Sequence, residues 1–487
     1  MDSAIISFTN EIRGMTIFFS LIIKKMKLHQ SILRAYDIRG IVGETLREDD
    51  AYSIGRAFAS YVINKSGKSS PEIAVAFDGR ESSPIFADKL SKGIEEAGAK
   101  VKTVGIGPTP MLYFAVRSKN LDGGVMITGS HNPPEYNGFK FMLAKEAMFG
   151  QEIQELGRII ERESFVSGKG ERENINVTED FLTTLLSAFS SNSTNSKPLK
   201  VAWDAGNGAA GDITAALCRK LPGNHILLNE KIDGTFPAHH PDPSEAKNLE
   251  QLIDVVMREK CDLGIAFDGD GDRIGAVDDR GRIIWGDQLM ILYAKDVLEE
   301  KPGATIIADV KASQSLFDEI KRMGGNPIIW KTGHSFIKSK MLETGAALAG
   351  EMSGHIFFAD KYYGYDDALY AAVRLLNLLA KSGRKFSELV NELPQMHNTP
   401  EIRINCPDER KFLVIEEIKL RLTSSGANFS DIDGVRVMTE EGWWLLRASN
   451  TQAALVARCE ANTLENLVKM KDLLKVSFSE SGVDIDI

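Results

Sequence analysis

The chain has 487 residues, a length that predicts about three domains at roughly 150 residues each. Apolar residues make up 43% of the sequence, which excludes a mainly disordered protein. The formal net charge of −10 argues against a nucleic-acid-binding protein, whose surface would be basic. Any anionic ligand must therefore be bound by a local pocket of Arg, Lys and backbone N–H groups.

Residues 1–25 are predicted to be an N-terminal extension, with Met26 as the preferred start of the protein. Their apolar run, Ile17–Ile23, is far shorter than the ~20 residues of a membrane-spanning helix. Lysines follow that run instead of preceding it, which argues against a secretory signal. The four cysteines are widely spaced, so the sequence predicts neither a zinc knuckle nor a disulfide framework. We expect a cytoplasmic protein that does not bind membranes.

A short apolar strand that ends in Asp and continues into a loop occurs three times. The three strands are Ile73–Phe77 before Asp78, Leu199–Trp203 before Asp204, and Thr305–Ala308 before Asp309. Each is followed by a helix-like segment and another apolar run. Strands that alternate with helices predict α/β layers. The wide spacing of the three strand–loop units indicates three related domains.

Ser130 and His131 lie in a loop rich in turn-forming residues, Thr128–Lys140, which follows the apolar strand Gly124–Ile127. Ligands usually meet an open α/β sheet at such strand ends. A Ser beside a His suggests an activated hydroxyl, although we expect adjacent side chains not to point at each other. No Gly-x-Ser-x-Gly motif surrounds the serine, which argues against a hydrolase. Taken alone, this loop is better explained as a surface turn.

The segment Gly206–Gly211 fits the dinucleotide-binding pattern Gly-x-Gly-x-x-Gly, and Glu230 lies at the distance expected of a ribose-binding acid. A glycine-rich turn that packs a strand against a helix explains the same residues. This segment alone does not separate the two interpretations.

Three aspartates alternate with glycine in the segment Phe267–Arg273, between two strand-like runs. Asp268, Asp270 and Asp272 can form a compact oxygen cage for Mg²⁺. An EF-hand is excluded, because Arg273 occupies the position that requires glycine and the flanks are strands. Arg273 suits phosphate oxygens and so indicates a phosphorylated substrate.

Two further segments carry polar groups suited to sugar or phosphate. In Gly350–His355, alternate positions could place Glu351, Ser353 and His355 on one side of an extended strand, where they would pair sugar hydroxyls. The segment Lys331–Ser335 precedes it. Arg447–Thr451 is a candidate anion-binding turn between two strands, although an ordinary hairpin explains it equally well.

Two polar segments are the predicted domain seams, Ser190–Lys197 and Pro394–Pro400. Beyond Pro400 the pattern changes to a separate small α+β domain. Its predicted helices are Glu409–Leu422 and Leu464–Val476, and its predicted strands are Val435–Met438, Trp443–Leu446 and Ala454–Ala457.

Taken together and in order, five segments make the chain resemble the α-D-phosphohexomutase family, in its phosphomannomutase/phosphoglucomutase branch. They are Arg34–Gly40, Thr128–Lys140, Asp268–Arg273, Gly350–His355 and Arg447–Thr451. The resemblance extends from about Ile32 to Ala461. In that family the glycine segment is an ordinary turn, so an NAD-linked oxidoreductase becomes a distant alternative.

The resemblance implies three related mixed-sheet α/β domains plus a smaller C-terminal α+β domain around one central cleft. The predicted divisions are 26–177 with the phosphoserine loop, 178–282 with the metal loop, 283–394 with the sugar-binding loop, and 395–487 with the phosphate-binding loop. A mobile fourth domain, hinged near Pro394–Pro400, would let the cleft loosen and close again.

The resemblance also implies an enzyme, an intramolecular phosphotransferase that interconverts hexose 1-phosphate and hexose 6-phosphate of mannose and/or glucose. A phosphoserine at Ser130 and a hexose 1,6-bisphosphate intermediate would carry the phosphate, with one Mg²⁺ bound by that serine and by Asp268, Asp270 and Asp272. The implied catalytic residues are Ser130, His131, Lys140 and Arg273, with His131 and Lys140 both open as the acid/base. The implied substrate-binding residues are Tyr36, Arg39, Lys311, His334, Glu351, Ser353, His355, Arg447, Ser449, Asn450 and Thr451.

Two alternatives share the scaffold: a phosphoglucosamine mutase and a non-catalytic sugar-phosphate-binding relative. Thr128–Ser130 and Gly350–Met352 favour mannose and glucose phosphates over the first, and the intact site residues argue against the second. One departure from the family is Ala453, where proline is usual and would fix the backbone. The expected partners are hexose phosphates only, and a monomer or weak dimer is expected.

Overall fold

The computed structural model describes residues 27–190, 198–449, 453–483 and 485, and its strands form four β-sheets. The predicted extension 1–25 and nearly all of the predicted seam Ser190–Lys197 lie outside these residues. No helix of the described chain is long and apolar enough to cross a membrane.

The first unit is built on a mixed sheet. Its strands are β1 (Ile38–Ile41), β2 (Glu72–Phe77), β3 (Lys100–Ile106), β4 (Gly123–Ile127), β5 (Tyr136–Leu143), β6 (Glu146–Ala147) and β7 (Arg172–Asn174), and its helices are α1 (Glu48–Ser66), α2 (Ser83–Glu96), α3 (Thr109–Ser118) and α4 (Gln151–Glu161). The strand order is β1-β5-β4-β2-β3-β7, with β6 on β5. The inner strands β4, β2 and β3 are parallel, whereas β5 runs antiparallel to both of its neighbours in this order.

The second unit repeats the strand–helix alternation in a smaller sheet. Its elements are α5 (Thr178–Leu186), β8 (Lys200–Asp204), α6 (Gly211–Lys220), β9 (Asn224–Leu228), α7 (Glu250–Glu259), β10 (Leu263–Phe267), β11 (Ile274–Asp278) and β12 (Ile283–Ile284). The strand order is β12-β11-β10-β8-β9. The antiparallel pair β10–β11 brackets the aspartate-rich segment, so that loop is a tight connection at one end of the sheet.

The third unit follows the same plan. Its elements are α8 (Gly286–Glu300), β13 (Thr305–Asp309), α9 (Gln314–Arg322), β14 (Asn326–Trp330), α10 (His334–Thr344), β15 (Leu348–Gly350), β16 (Ile356–Phe358), α11 (Ala368–Ser382) and α12 (Phe386–Val390). The strand order is β14-β13-β15-β16, with only the last pair antiparallel.

The fourth unit is an antiparallel sheet with two helices. Its elements are β17 (His397–Asn398), β18 (Ile402–Asn405), α13 (Asp408–Ser425), β19 (Phe429–Ser430), β20 (Val435–Met438), β21 (Gly442–Ala448), β22 (Ala454–Ala461) and α14 (Leu464–Ser479). The order is β17-β22-β21-β20-β19, with β18 also on β22. The predicted fold class, three α/β units and a C-terminal α+β unit, is confirmed.

The three predicted apolar strands that lead into Asp78, Asp204 and Asp309 correspond to β2, β8 and β13. Each is an interior strand with parallel neighbours, which explains its continuous run of apolar residues. One apolar cluster runs through the first three units and includes the completely buried Trp203, and each of these units also has a separate cluster of its own. Trp443 and Leu445 of β21 pack on Val310, which docks the fourth unit on the third.

Candidate active site

Ser130 lies between the first two units, with its hydroxyl directed at the aspartate loop. The side chain is 2% exposed, and its backbone has a φ of 49°, a left-handed conformation that is uncommon outside glycine. Its Oγ donates a hydrogen bond to Asp268 Oδ2 at 3.0 Å and lies 3.3 Å from His131 Nδ1. The expectation that these adjacent side chains do not meet is therefore wrong, because the left-handed backbone turns the serine towards His131.

Asp268, Asp270 and Asp272 form a fully buried group beside Ser130. Each offers an oxygen, and these oxygens lie within 4.8 Å of one another. Gly271, with a φ of 72°, lets the loop turn back on itself. The Oδ1 atoms of Asp270 and Asp272 are buried without a hydrogen-bond partner. Buried carboxylate oxygens are normally paired, so these two fit as ligands of a hard divalent cation.

Lys140 neutralises part of this negative charge from β5. Its Nζ donates to Asp270 Oδ2 at 2.7 Å and to Asp272 Oδ2 at 2.5 Å. Burial acts to lower the pKa of Lys140, but the charges of these two aspartates raise it above its usual value. Burial raises the pKa of Asp268, and the neighbouring carboxylates raise it further. The close packing of three carboxylates therefore disfavours the charged form of Asp268, and a bound cation would offset this effect.

Arg273 and His355 connect the aspartate loop to the third unit. Arg273 Nε donates to His355 Nε2 at 3.0 Å, and His355 Nδ1 lies 3.1 Å from Asp366 Oδ2 and 3.5 Å from Asp272 Oδ1. The His355 ring therefore lies between the Arg273 guanidinium on one side and the Asp366 carboxylate on the other. Lys338 Nζ binds the other oxygen of Asp366 at 2.8 Å.

The predicted sugar-binding segment is a turn, and the expectation of an extended strand over Gly350–His355 is wrong. Glu351 N donates to His355 O at 2.9 Å and closes the turn between β15 and β16. A strand would break there because Gly354 has a φ of 96°. Glu351 Oε2 still accepts from Ser353 Oγ at 3.0 Å, and its Oε1 accepts from Gly333 N at 2.9 Å.

Arg447 reaches the cleft from the fourth unit. Its side chain is buried, and Nε donates to Asp433 Oδ2 at 2.9 Å. The same oxygen accepts from Thr332 N of the third unit at 3.0 Å. Arg447 Nη2 is buried without a partner, so its guanidinium retains capacity for an anion.

The remaining predicted site residues lie either beside the loop that carries Ser130 or at the fourth unit. Arg39 on β1 donates to Asn132 Oδ1 at 2.6 Å and thus supports the serine loop, Thr128–Lys140. Lys311 binds Glu401 Oε2 of the fourth unit at 3.0 Å. The predicted anion-binding turn continues from Arg447 into Ser449, which is 5% exposed. Two of its predicted members, Asn450 and Thr451, lie outside the described residues.

Tyr36 shows that these groups share one cleft. Its ring meets that of His334 edge-on with centroids 5.3 Å apart. Burial raises the pKa of Tyr36, Glu351 raises it further, and Arg447 and Arg273 lower it. Charges from the second, third and fourth units therefore act on one hydroxyl of the first unit.

Sequence analysis did not identify three residues that contact the site. Thr109 at the start of α3 donates through Oγ1 to Asp270 Oδ2 at 2.5 Å, and Asp366 and Asp433 orient His355 and Arg447. Asp366 belongs to an acidic pair just before a helix, which was a usable signal. Thr109 and Asp433 gave none, because tertiary contacts alone bring them to the site.

The glycine segment Gly206–Gly211 is a packed turn. A Cβ at Gly208 would lie 2.8 Å from Gly269 O in the aspartate loop, and a Cβ at Gly211 would lie 1.9 Å from Glu230 O. Backbone atoms thus occupy the space beside both glycines. Packing explains the motif without a dinucleotide.

The fold and the site together define a multidomain α/β enzyme whose cleft combines one hydroxyl, a carboxylate cage and cations from several units. Models of the phosphoglucomutase/phosphomannomutase family match the chain in four consecutive parts: alpha/beta/alpha domain I at residues 30–167, domain II at 179–281, domain III at 285–397 and the C-terminal domain at 401–474. The chain therefore belongs to the phosphoglucomutase/phosphomannomutase family.

Individual relatives agree with this assignment. A phosphomannomutase/phosphoglucomutase of Pseudomonas aeruginosa is 45% identical over 452 residues, covering 93% of this chain and 96% of that protein. A phosphoglucomutase of Neisseria meningitidis is 45% identical over 449 residues, covering 92% and 96%. The crystal structure of a family protein from Burkholderia thailandensis superposes with a TM-score of 0.87 at 41% identity, covering 93% of this chain and 98% of that one.

Proposed function

We propose that this protein interconverts the 1- and 6-phosphates of mannose and/or glucose through a phosphoserine at Ser130 and a hexose 1,6-bisphosphate intermediate. The observation that carries the proposal is the 3.0 Å contact between Ser130 Oγ and Asp268, beside two unpaired carboxylate oxygens. A phosphoserine carries about −1.5 to −2 charges and needs such neutralising surroundings. Mg²⁺ held by Asp268, Asp270, Asp272 and the phosphoserine would offset that charge.

In the first half-step, the free hydroxyl of a hexose monophosphate attacks the phosphoserine. A P–O bond to the sugar forms and the P–O bond to Ser130 Oγ breaks. The proton of the sugar hydroxyl passes to a base, and Oγ takes up a proton to become a free hydroxyl. In the second half-step Oγ gives up its proton as the other phosphate of the bisphosphate returns to it, and a proton is delivered to the sugar oxygen that this phosphate leaves. Positioning and electrostatic stabilisation supply most of the catalysis in such reactions.

His131 and Lys140 have different roles in this proposal. Burial lowers the pKa of His131 well below its usual value, and the charges of Arg273 and Arg39 lower it further, so its ring is neutral and can accept a proton. Against the lowering effect of burial, Asp270 and Asp272 raise the pKa of Lys140, so it stays charged and neutralises their carboxylates, which makes it a poor proton donor. We therefore assign to His131 the base of the first half-step and the return of that proton in the second, and to Lys140 the neutralisation of charge.

The distal part of the cleft would hold the sugar and the phosphate that does not react. Glu351 and Ser353 would serve as acceptor and donor for sugar hydroxyls, and Arg447, with Ser449, Asn450 and Thr451, would bind the phosphate. Tyr36, Arg39, Lys311, His334 and His355 would line the space between. We also propose the domain divisions given above and a cytoplasmic location.

The discriminating experiment compares turnover of mannose 1-phosphate, glucose 1-phosphate and glucosamine 1-phosphate, each primed with its bisphosphate and followed by ³¹P NMR. We expect efficient conversion of the first two and poor conversion of the third. Faster conversion of glucosamine 1-phosphate would identify a phosphoglucosamine mutase. Binding of all three without conversion would identify a non-catalytic relative.

Replacing Arg447 by Lys is expected to raise KM for hexose phosphates about tenfold or more. Lysine keeps the charge but loses the planar fork that binds phosphate through two N–H groups. A hydrogen bond to a charged group contributes roughly 1.5–3 kcal/mol, and each 1.4 kcal/mol is about a factor of ten. Steady-state kinetics with glucose 1-phosphate measure the effect.

Arg421→Lys is the matched control in the same unit, because Arg421 on α13 contacts Ser481 Oγ at 2.6 Å and Glu480 at 3.0 Å, just beyond the end of α14. Its KM should equal that of the wild type. An unchanged KM in Arg447→Lys would contradict the assignment of Arg447 to phosphate binding.

A further inference from the structure

Arg80 is a buried cation that the mechanism above does not use. Its side chain is 1% exposed and lies directly beneath the serine loop. Nη2 donates to the carbonyl oxygens of Ser130 at 2.9 Å and Asn132 at 2.6 Å, and Nη1 donates to those of Pro133 at 2.5 Å and Tyr136 at 2.9 Å. One guanidinium therefore binds four backbone carbonyls of this loop.

Asp78 completes the attachment from the other side of the serine. Its Oδ2 accepts from Arg80 Nε at 3.1 Å and from Gly129 N at 3.1 Å. Its Oδ1 accepts from Arg80 N at 3.1 Å and from Ser83 Oγ at 2.6 Å, which anchors the pair to α2. The Asp78–Arg80 pair thus holds the peptide groups on both sides of Ser130.

Ser130 needs such an attachment because its backbone is in a sparsely populated conformation. A non-glycine residue at a φ of 49° persists only where its surroundings determine it strongly. A Cβ at Gly129 would lie 2.4 Å from Arg80 Cζ, so glycine is what lets the guanidinium approach this closely. The same conformation directs Oγ to Asp268.

We propose that Arg80 is a positioning residue, which fixes Ser130 in the left-handed conformation that directs its hydroxyl, and its phosphoryl group, at the aspartate cage. The inference rests on the function proposed above. Arg80 acts through the loop and not on the substrate, because Phe236 covers its guanidinium with its ring centroid 5.0 Å from Cζ. The planar fork is essential, since lysine keeps the charge but offers donors in one place only.

The test compares Arg80→Lys with Arg374→Lys. Arg374 is also buried, binds Asp360 and Asp296, and lies 4.4 Å from the centroid of the Phe358 ring, but it lies outside the site. Small displacements of reacting groups cost about 100-fold in rate, so we expect kcat for glucose 1-phosphate to fall about 100-fold in Arg80→Lys. KM should stay within about threefold, because no substrate contact is lost. Arg374→Lys should change both constants by less than about threefold.

Phosphorylation of Ser130 provides the second readout. Mass spectrometry after mixing with glucose 1,6-bisphosphate should show that Arg80→Lys acquires phosphate about 100-fold more slowly than the wild type. Equal kcat losses in Arg80→Lys and Arg374→Lys, or a loss that appears in KM alone, would overturn the inference. If Arg80→Lys does not fold, the kcat of Gly129→Ala tests the positioning role instead, because the added Cβ would displace the same guanidinium. A normal kcat in Gly129→Ala would also overturn it.

The two proposals fail in different ways. A wild-type protein that neither turns over hexose phosphates nor acquires phosphate would refute the proposed function. A wild-type protein that does both, with Arg80→Lys and Gly129→Ala equally active, would refute the positioning role alone.

Discussion

Replacing Ser130 by Ala is expected to abolish mutase turnover while hexose phosphates still bind. The Oγ atom donates to Asp268, and the proposed mechanism assigns to it the phosphoryl exchange, for which alanine supplies no substitute. Loss of a nucleophile typically costs 10⁴-fold or more, so we expect kcat to fall by roughly that factor or more. Turnover is measured by ³¹P NMR, and binding of glucose 6-phosphate by calorimetry.

Ser60→Ala is the control for loss of a buried serine hydroxyl. Ser60 Oγ donates to Arg56 O at 2.7 Å and accepts from Val166 N at 2.9 Å, within the first unit but outside the cleft. This variant should lose some stability and keep its kcat. Full activity in Ser130→Ala would refute the phosphoserine mechanism, whatever the result for Ser60→Ala.

The regular elements could be predicted because local pattern and tertiary environment agree. The predicted strand Val435–Met438 coincides with β20, and the predicted helix Glu409–Leu422 lies within α13, which continues to the residue before Gly426. The short strands β17 and β18 could not be predicted. Two to four residues carry no measurable period, and their pairing with β22 alone defines them.

The candidate site residues could be named from sequence, whereas several of the partners that bind them in the structure could not. Asp268, Asp270 and Asp272 can be recognised from the local sequence because they alternate with glycine. Thr109 binds Asp270 across 161 positions of the chain, so no local pattern could reveal it. Arg80 followed a recognised strand, but its four carbonyl contacts depend on how the serine loop folds over it.

The conformation of the sugar-binding segment shows a further limit of period-based reasoning. Alternate polar positions in Gly350–His355 suggested one face of a strand, but Ser353 and Glu351 meet across a turn. The pattern is the same in both cases because a turn also brings residues two positions apart together. Only the positive φ of Gly354 separates them, and that is a property of the folded chain.

Replacing Asp270 by Asn is expected to remove metal binding and to lower kcat about 1,000-fold. Burial acts to raise the pKa of Asp270, but Lys140 lowers it below its usual range, so the group is an anion in the folded protein. The amide removes that charge at nearly constant shape, and Lys140 loses a partner at 2.7 Å. Loss of one group that stabilises charge in the transition state typically costs about 10²–10³-fold. Calorimetric titration with Mg²⁺ measures metal binding directly.

Asp278→Asn separates this effect from the general cost of altering a buried aspartate in the same unit. Asp278 is fully buried and binds Arg282 Nε at 2.7 Å on the far end of β11. Its variant should lose stability but still bind Mg²⁺ and turn over substrate. Chelation of metal from the wild type should reproduce the loss seen in Asp270→Asn, and activity that survives chelation would refute the cage. Because Lys140 bonds Oδ2 of Asp270 and of Asp272 and leaves Oδ1 of each without a hydrogen-bond partner, we expect Mg²⁺ and lysine to bind the same carboxylates together.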